Sequence, residues 1–352
     1  MDEKVLKVVT PIIFVLTIAF FTVFRYMPTL HEKYALIVEK RDRLFENWQT
    51  ASVSQENLNE IVEAEEGQSS QLNIEIPPGI SEDDISIEND YISQSVYVRF
   101  KGGVDDYFSN YGISGSPDHI KSMFYYKDGE DGVIELNLDR VYELKTDVAD
   151  QKLAMDFIDP HDIYDKVIVV DAGHGSRAAG ATKKGVMEKE INLQIVLQLK
   201  KLFDESDQNI KVYYTRTEDT NPTLMQRVEL ANMCDADLFI SVHNNSSSSG
   251  NFSSLSGTQV MYSQSDDSEL SSKKLAQICL DNVSDTLGSR KRGLLKGDNI
   301  YIIRSSEVPV ALIEVGFMTN RDELENLVSE DYQQKAAQGI YNAVMEAFEE
   351  GY

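Results

Sequence analysis

Apolar and polar positions alternate with three different periods along this chain of 352 residues. The first stretch has no period at all. From Val8 to Phe24, 17 residues run without a charge and are mostly apolar. That is the lower end of the roughly 17–25 residues that cross a bilayer as a helix. Lys7 and Arg25 flank the run and Tyr26 suits a membrane interface. No small-residue cleavage pattern follows it, so residues 1–28 read as an uncleaved transmembrane anchor. A helical period comes next. Leu30, Tyr34, Ile37, Arg41, Leu44, Trp48, Ala51, Gln55, Leu58 and Val62 recur at intervals of three and four. This spacing predicts a helical stalk, and 29–70 is taken as stalk plus the linker Glu65-Glu66-Gly67-Gln68-Ser69-Ser70. The stalk either pairs weakly with itself as a short coiled coil or lies singly on the membrane or the next domain.

From Leu72 the period becomes two. Leu72, Ile74 and Ile76 alternate with polar residues. So do Ile85 and Ile87, then Val96, Val98 and Phe100, then Ile134, Leu136 and Leu138, then Leu153, Met155 and Phe157. Turn signals such as Pro77-Pro78-Gly79 and Lys101-Gly102-Gly103 separate them. The pattern predicts a small all-β, sandwich-like domain over 71–160.

Beyond residue 160 apolar runs alternate with helical spacing. Strands are expected at Lys166–Val170, Lys211–Tyr214, Leu238–Val242, Thr258–Tyr262, Tyr301–Ile303 and Val310–Val315. Helices are expected at Glu188–Phe203, Leu224–Asn232, Glu269–Leu287 and Asp331–Phe348. This order predicts an α/β domain over 161–352, a mainly parallel sheet with helices on both faces. Such sheets place their sites at the carboxyl ends of strands.

Charge narrows the function. The formal net charge is −26, which excludes nucleic acid as a natural partner. Positions 51–160 hold 24 Asp and Glu against 7 Lys and Arg, an acidic and solvated surface. The two cysteines, Cys234 and Cys279, lack metal-binding spacing and read as small buried hydrophobes. His119 and His161 stand alone in sequence and read as satisfied or solvated.

The remaining chemistry lies in four short motifs. His174 follows the first α/β strand in Asp171-Ala172-Gly173-His174-Gly175. Glu188 opens a helix. His243 follows a strand in Ser241-Val242-His243-Asn244-Asn245. Glu314 interrupts the apolar strand Val310–Val315. Neutral imidazole and carboxylate both suit Zn²⁺, and a three-ligand site leaves a position open for water. A carboxylate on an apolar strand is costly unless a function compensates it. Asn244 and Asn245 are candidates either to orient the ligands or to cap the loop.

Residues 166–348 closely resemble the catalytic domain of zinc-dependent N-acetylmuramoyl-L-alanine amidases, the hydrolases that cut peptidoglycan between muramic acid and the stem peptide. Asp171-Ala172-Gly173-His174-Gly175 resembles the family's D-P-G-H-G. Glu188-Lys189-Glu190-Ile191-Asn192-Leu193 resembles its E-K-D-x-N-L. Thr215-Arg216, Leu224, Arg227 and Ala231-Asn232 resemble its T-R…L-x-x-R…A-N stretch. Glu314-Val315-Gly316-Phe317-Met318-Thr319-Asn320 resembles its E-x-G-F-x-S-N. The resemblance implies His174, Glu188 and His243 as zinc ligands and Glu314 as catalytic acid/base. Arg216 and Arg227 are expected to be structural or to orient substrate. The acidic 71–160 region resembles, in pattern and position only, the β-sandwich localisation modules that precede some wall amidases. Two departures stand out. Ala172 replaces a proline, and Ser246 to Ser254 replace the usual small residues after His243. That run either shapes the substrate groove or is simply a flexible loop.

With the anchor read from Val8–Phe24, the resemblance implies a peptidoglycan amidase held at the membrane with its catalytic domain facing the cell wall, with a regulatory protein as a candidate partner. A strict count of positive flanking residues places the carboxyl side in the cytoplasm instead. The wall substrate overrides that count. Rival readings are another zinc amide hydrolase of the wall, a carboxypeptidase or deacetylase, and a non-catalytic membrane-anchored wall-binding protein.

Overall fold

The computed structural model describes residues 52–54, 62–63, 70–116, 118–265 and 269–352. The expected anchor over 1–28 and most of the stalk lie outside these residues. Among the described residues no helix is long and apolar enough to cross a membrane.

The first domain contains β1 (Ser52–Ser54), β2 (Val62–Glu63), β3 (Leu72–Glu75), β4 (Ile85–Asp90), β5 (Ser95–Phe100), the short α1 (Tyr107–Asn110), β6 (Ile113–Gly115), β7 (Ile120–Asp128), β8 (Asp131–Leu138), β9 (Glu143–Ala149) and β10 (Lys152–Ile158). They form two five-stranded sheets, β1-β7-β8-β5-β4 and β2-β6-β3-β10-β9. Every pairing is antiparallel except β2 with β6. The alternate residues Leu72 and Ile74, Val96 and Val98, Ile134 and Leu136, and Leu153 and Met155 meet in one core. This is the sandwich that the period of two predicts. The stalk is corrected where it can be seen. Ser52–Ser54 pairs with β7 and Val62–Glu63 with β6, so the helix expected through residue 62 gives way to strands. Serine and β-branched valine are modest helix formers, and a sheet edge offers free backbone groups to pair with.

The second domain contains β11 (Lys166–Ala172), the hairpin β12 (Thr182–Lys183) and β13 (Val186–Met187), α2 (Glu188–Asp204), β14 (Ile210–Tyr214), α3 (Leu224–Met233), β15 (Leu238–Asn245), β16 (Thr258–Tyr262), α4 (Ser272–Leu287), β17 (Lys291–Lys296), α5 (Tyr301–Arg304), β18 (Val310–Phe317), α6 (Arg321–Leu327) and α7 (Glu330–Glu349). The sheet order is β14-β11-β15-β18-β16-β17, with only β16–β18 antiparallel. β11 explains the layering. Ile168 and Val170 face a core shared with α2, α4 and α7, while Val167 and Val169 face one shared with α3 and α5. Both faces are covered, so the strand reads as one continuous apolar run.

One expected strand is overturned. Tyr301–Ile303 is a helical turn, and the missing strand is β17 at the sheet edge. Ile302 and Ile303 are consecutive and both buried, which a half-covered strand does not allow. Cys234 and Cys279 are free and buried in different cores, as small hydrophobes. Burial pushes both thiols up to about 12.

The two domains meet along a mixed seam in which Val141 is buried in the second domain's core and Ile92 packs against it. Glu143 of β9 accepts a hydrogen bond from the Tyr213 hydroxyl at 2.6 Å and an ion pair from Lys211 at 2.6 Å, while Tyr91 packs edge-on against Tyr213. His161 lies between Asp159 and Asp237, and His119 packs on Tyr142, so neither joins a ligand cluster.

Candidate metal centre

Parallel strands bring the four motifs to one end of the sheet. His174 lies two residues past β11, His243 is on β15, and Glu314 on β18 is its direct neighbour across the ladder. Glu188 is the first residue of α2. His174 Nε2 is 3.1 Å from Glu188 Oε1, and His243 Nδ1 is 2.9 Å from the same oxygen. The ligand atoms of His174, Glu188 and His243 all lie within 4.8 Å of one another. Two imidazoles and a carboxylate oxygen at such separations match the donor set of a catalytic zinc site.

Close backbone approach builds this convergence. A Cβ on Gly173 would stand 2.2 Å from His243 Nε2, and one on Gly180 would stand 2.5 Å from Glu188 Oε2. Neither position can carry a side chain without moving a ligand. His174 itself holds φ +62°, a left-handed conformation that few non-glycine residues adopt. The cost is met by two buried guanidinium groups. Arg216 donates to the carbonyls of Ala172, Gly173 and Lys189 at 2.8, 3.0 and 2.8 Å. Arg227 donates to the carbonyls of Ala172 and His174 at 2.9 and 2.8 Å and pairs with Asp171. Both arginines are therefore structural clamps on the ligand loop. With the Ala172 carbonyl held twice, the turn does not need the family's proline.

Asp171 also accepts hydrogen bonds from Thr215 and Ser241, each at 2.6 Å. Burial raises its pKa, but Arg227, His243 and these hydroxyls outweigh burial and hold the carboxyl below its ordinary value. Glu188 follows the same logic. Burial pushes it up, and hydrogen bonds to His174 and His243 more than reverse that. Conversely, burial lowers His243, and the Glu188 carboxylate overrides it and raises the imidazole. Asp171 and Glu188 thus place negative charge beside His243, and a bound cation would balance it.

Glu188 is further fixed by the backbone N–H of Ala181 at 2.8 Å and of Asn244 at 3.1 Å. Asn192 bridges the Gly173 carbonyl at 3.1 Å and the Asn244 side chain at 2.8 Å. The sequence reading gave Asn192 no role. Its signal was position, one helical turn after Glu188 on the same face. The two asparagines after His243 divide their work: Asn244 orients the ligands, and Asn245 caps Ser246 at 2.8 Å.

Glu314 has the opposite environment. Its Oε2 is buried without a hydrogen-bond partner. Burial, opposed by His243 and reinforced by Glu188, pushes the carboxyl up to about 7. A carboxyl with that pKa is matched to give and take protons near neutrality. A pocket of about 440 Å³ opens over His174 and His243, walled by Pro222, Leu224, Arg227 and Ile302. The serine-rich run is held rather than loose. Ser247 and Ser253 donate backbone hydrogen bonds to Thr319 at 2.9 and 2.8 Å.

Residues 168–346 match the family described as Amidase_3, N-acetylmuramoyl-L-alanine amidase. The Bacillus subtilis (strain 168) protein YqiI is 38% identical over 179 residues, which span 51% of this chain and 83% of that one. N-acetylmuramoyl-L-alanine amidase LytC of the same organism is 33% identical over 180 residues, covering 51% of this chain and 35% of LytC. The crystal structure of an N-acetylmuramoyl-L-alanine amidase from Clostridium difficile 630 superposes with a TM-score of 0.50 at 31% identity, covering 53% of this chain and 98% of that one.

Proposed function

The chain belongs to the N-acetylmuramoyl-L-alanine amidase family, and from that premise we propose how it hydrolyses the amide between N-acetylmuramic acid and the L-alanine of the stem peptide. The observation that carries the mechanism is the convergence of one ligand atom each from His174, Glu188 and His243 within 4.8 Å, together with a buried Glu314 Oε2 that has no hydrogen-bond partner. His174, Glu188 and His243 would hold one Zn²⁺. Bound in such a site, the ion acidifies water and polarises a carbonyl. Glu314 takes a proton from the water that adds to the lactyl carbonyl carbon. As the C–N bond breaks, the same carboxyl returns the proton to the leaving alanine nitrogen. Asn192, Asn244 and the Ala181 N–H keep Glu188 in its ligand orientation, a support that sets metal affinity in sites of this kind.

Family membership favours the amidase over a wall carboxypeptidase or deacetylase with the same metal set. The presence of all four site residues argues against an idle wall-binding protein. We further propose that the apolar run Val8–Phe24 anchors the enzyme to the membrane with its catalytic domain facing the wall, because the substrate lies there. Digestion of purified peptidoglycan, with mass assignment of the fragments, tests the activity. New amino-terminal alanine and intact glycan strands are expected. Release of terminal D-alanine or acetate alone refutes the amidase reading.

A further inference from the structure

We propose that a cationic rim beside the metal centre, built by Lys183, Lys184 and Arg321 around Phe252, selects substrates whose peptide carries free carboxylates. The inference rests on the amidase reading and deepens it.

Four observations carry it. First, the three cations surround one ring. Lys183 Nζ, Lys184 Nζ and Arg321 Cζ lie 4.6, 5.5 and 4.1 Å from the Phe252 centroid. Second, no described carboxylate lies within ion-pair distance of any of them, although acidic residues far outnumber basic ones in the chain. Several other lysines do have carboxylate partners: Lys189 pairs with Asp219, Lys211 with Glu143 and Lys291 with Asp281. Three like charges gathered without a counter-ion repel one another, and a bound anion relieves that repulsion. Third, the rim grows from the segments that carry the chemistry. The β12–β13 hairpin bearing Lys183 and Lys184 runs directly into the ligand Glu188. The loop bearing Phe252 leaves the strand of His243, and Arg321 follows the strand of Glu314 by four residues. Fourth, the arms are locked together. Lys183 Nζ donates to the Gly250 carbonyl at 2.5 Å, and Ser253 N to Thr319 O at 2.8 Å.

The pocket over His174 and His243 is walled by Pro222, Leu224 and Ile302 with the neutral polar Asn221 and Thr223, and its one cation, Arg227, is spent on Asp171 and loop carbonyls. The rim carries three cations without a described carboxylate partner, so the two suit chemically different halves of a substrate. A muramoyl sugar is close to neutral once its lactyl acid is amidated. The peptide on the nitrogen side ends in a carboxylate, and that is the anion the rim fits.

The experiment compares soluble muramoyl peptides with free carboxylates against the same peptides with those carboxylates converted to amides. The zinc-loaded full chain is expected to prefer the acid form by about five- to tenfold in kcat/KM, since exposed charge contacts are each worth under about 1 kcal/mol. Combined Lys184→Gln and Arg321→Gln substitution is expected to bring that preference close to one, through KM rather than kcat. Lys184→Arg with Arg321→Lys retains the charge and is expected to retain the preference. A wild-type enzyme that cleaves both substrates equally well overturns this inference and leaves the amidase reading standing. So does a preference that survives the glutamine variant. An enzyme that cleaves neither substrate overturns the reading on which the inference rests.

Discussion

Glu188 and Glu314 are the same residue type placed in opposite surroundings, and the difference assigns their roles. Glu188 is buried against two imidazoles and two backbone N–H groups, and stays ionised. Glu314 keeps an oxygen buried with no donor, and burial raises it to about 7. A base must be deprotonated to act, so the rate falls as pH drops through the Glu314 pKa, which burial raises to about 7 and a cation in the site would lower. Glu314→Gln is expected to lower kcat by about 10²- to 10⁴-fold and to remove the limb, with zinc content retained. A Glu314→Gln enzyme of normal rate contradicts this. Asp171 makes a different prediction. Its folded pKa is depressed, so its contribution to stability is present above the unfolded value near 3.8 and is lost as pH falls through the folded one. Asp171→Asn leaves Arg227 buried beside a neutral partner, and urea unfolding at neutral pH is expected to show a loss of about 3–5 kcal/mol. A loss below 1 kcal/mol refutes the clamp. Each of the four site residues was legible in sequence, because each sits in a short motif at an element end. Asn192 is part of the Glu188 motif, but its role is not legible until the loop carbonyl of Gly173 is seen beside it.

Among the elements, the turns after β11 and before α2 decide whether the ligands can meet. Gly173→Ala drives a methyl group into the His243 ring. Zinc affinity, measured by competition with a chelating indicator, is expected to fall about 10- to 100-fold while the far-ultraviolet circular dichroism stays unchanged. Unaltered affinity would show that the close approach is incidental. Strands covered on both faces were readable as apolar runs, and the sandwich strands as alternation. The failures have local causes. In β7 the register shifts between Ile120 and Ser122, which breaks the period of two and hides the strand. β17 begins and ends in lysine at the sheet edge, so it lacks the apolar run of a central strand. The buried pair Ile302-Ile303 then mimicked the strand that β17 supplies.

On the scale of the whole molecule, the sequence pattern does not tell how the two sheet systems join. The seam sets Glu143 against Lys211 and Tyr213, about 70 residues away along the chain, and no periodicity reports such a pair. The acidic sandwich and the wall-cutting domain are thus fastened by charge, aromatic packing and the buried Val141. One zinc ion held by His174, Glu188 and His243 is expected to make this chain an amidase. Release of amino-terminal alanine from purified peptidoglycan, followed while zinc is titrated into chelator-stripped protein, tests it most directly. Activity is expected to be absent without metal and to saturate at one zinc per chain, and His243→Ala protein is expected to stay inactive throughout. Full release by metal-free protein, or by the His243→Ala variant, contradicts the claim.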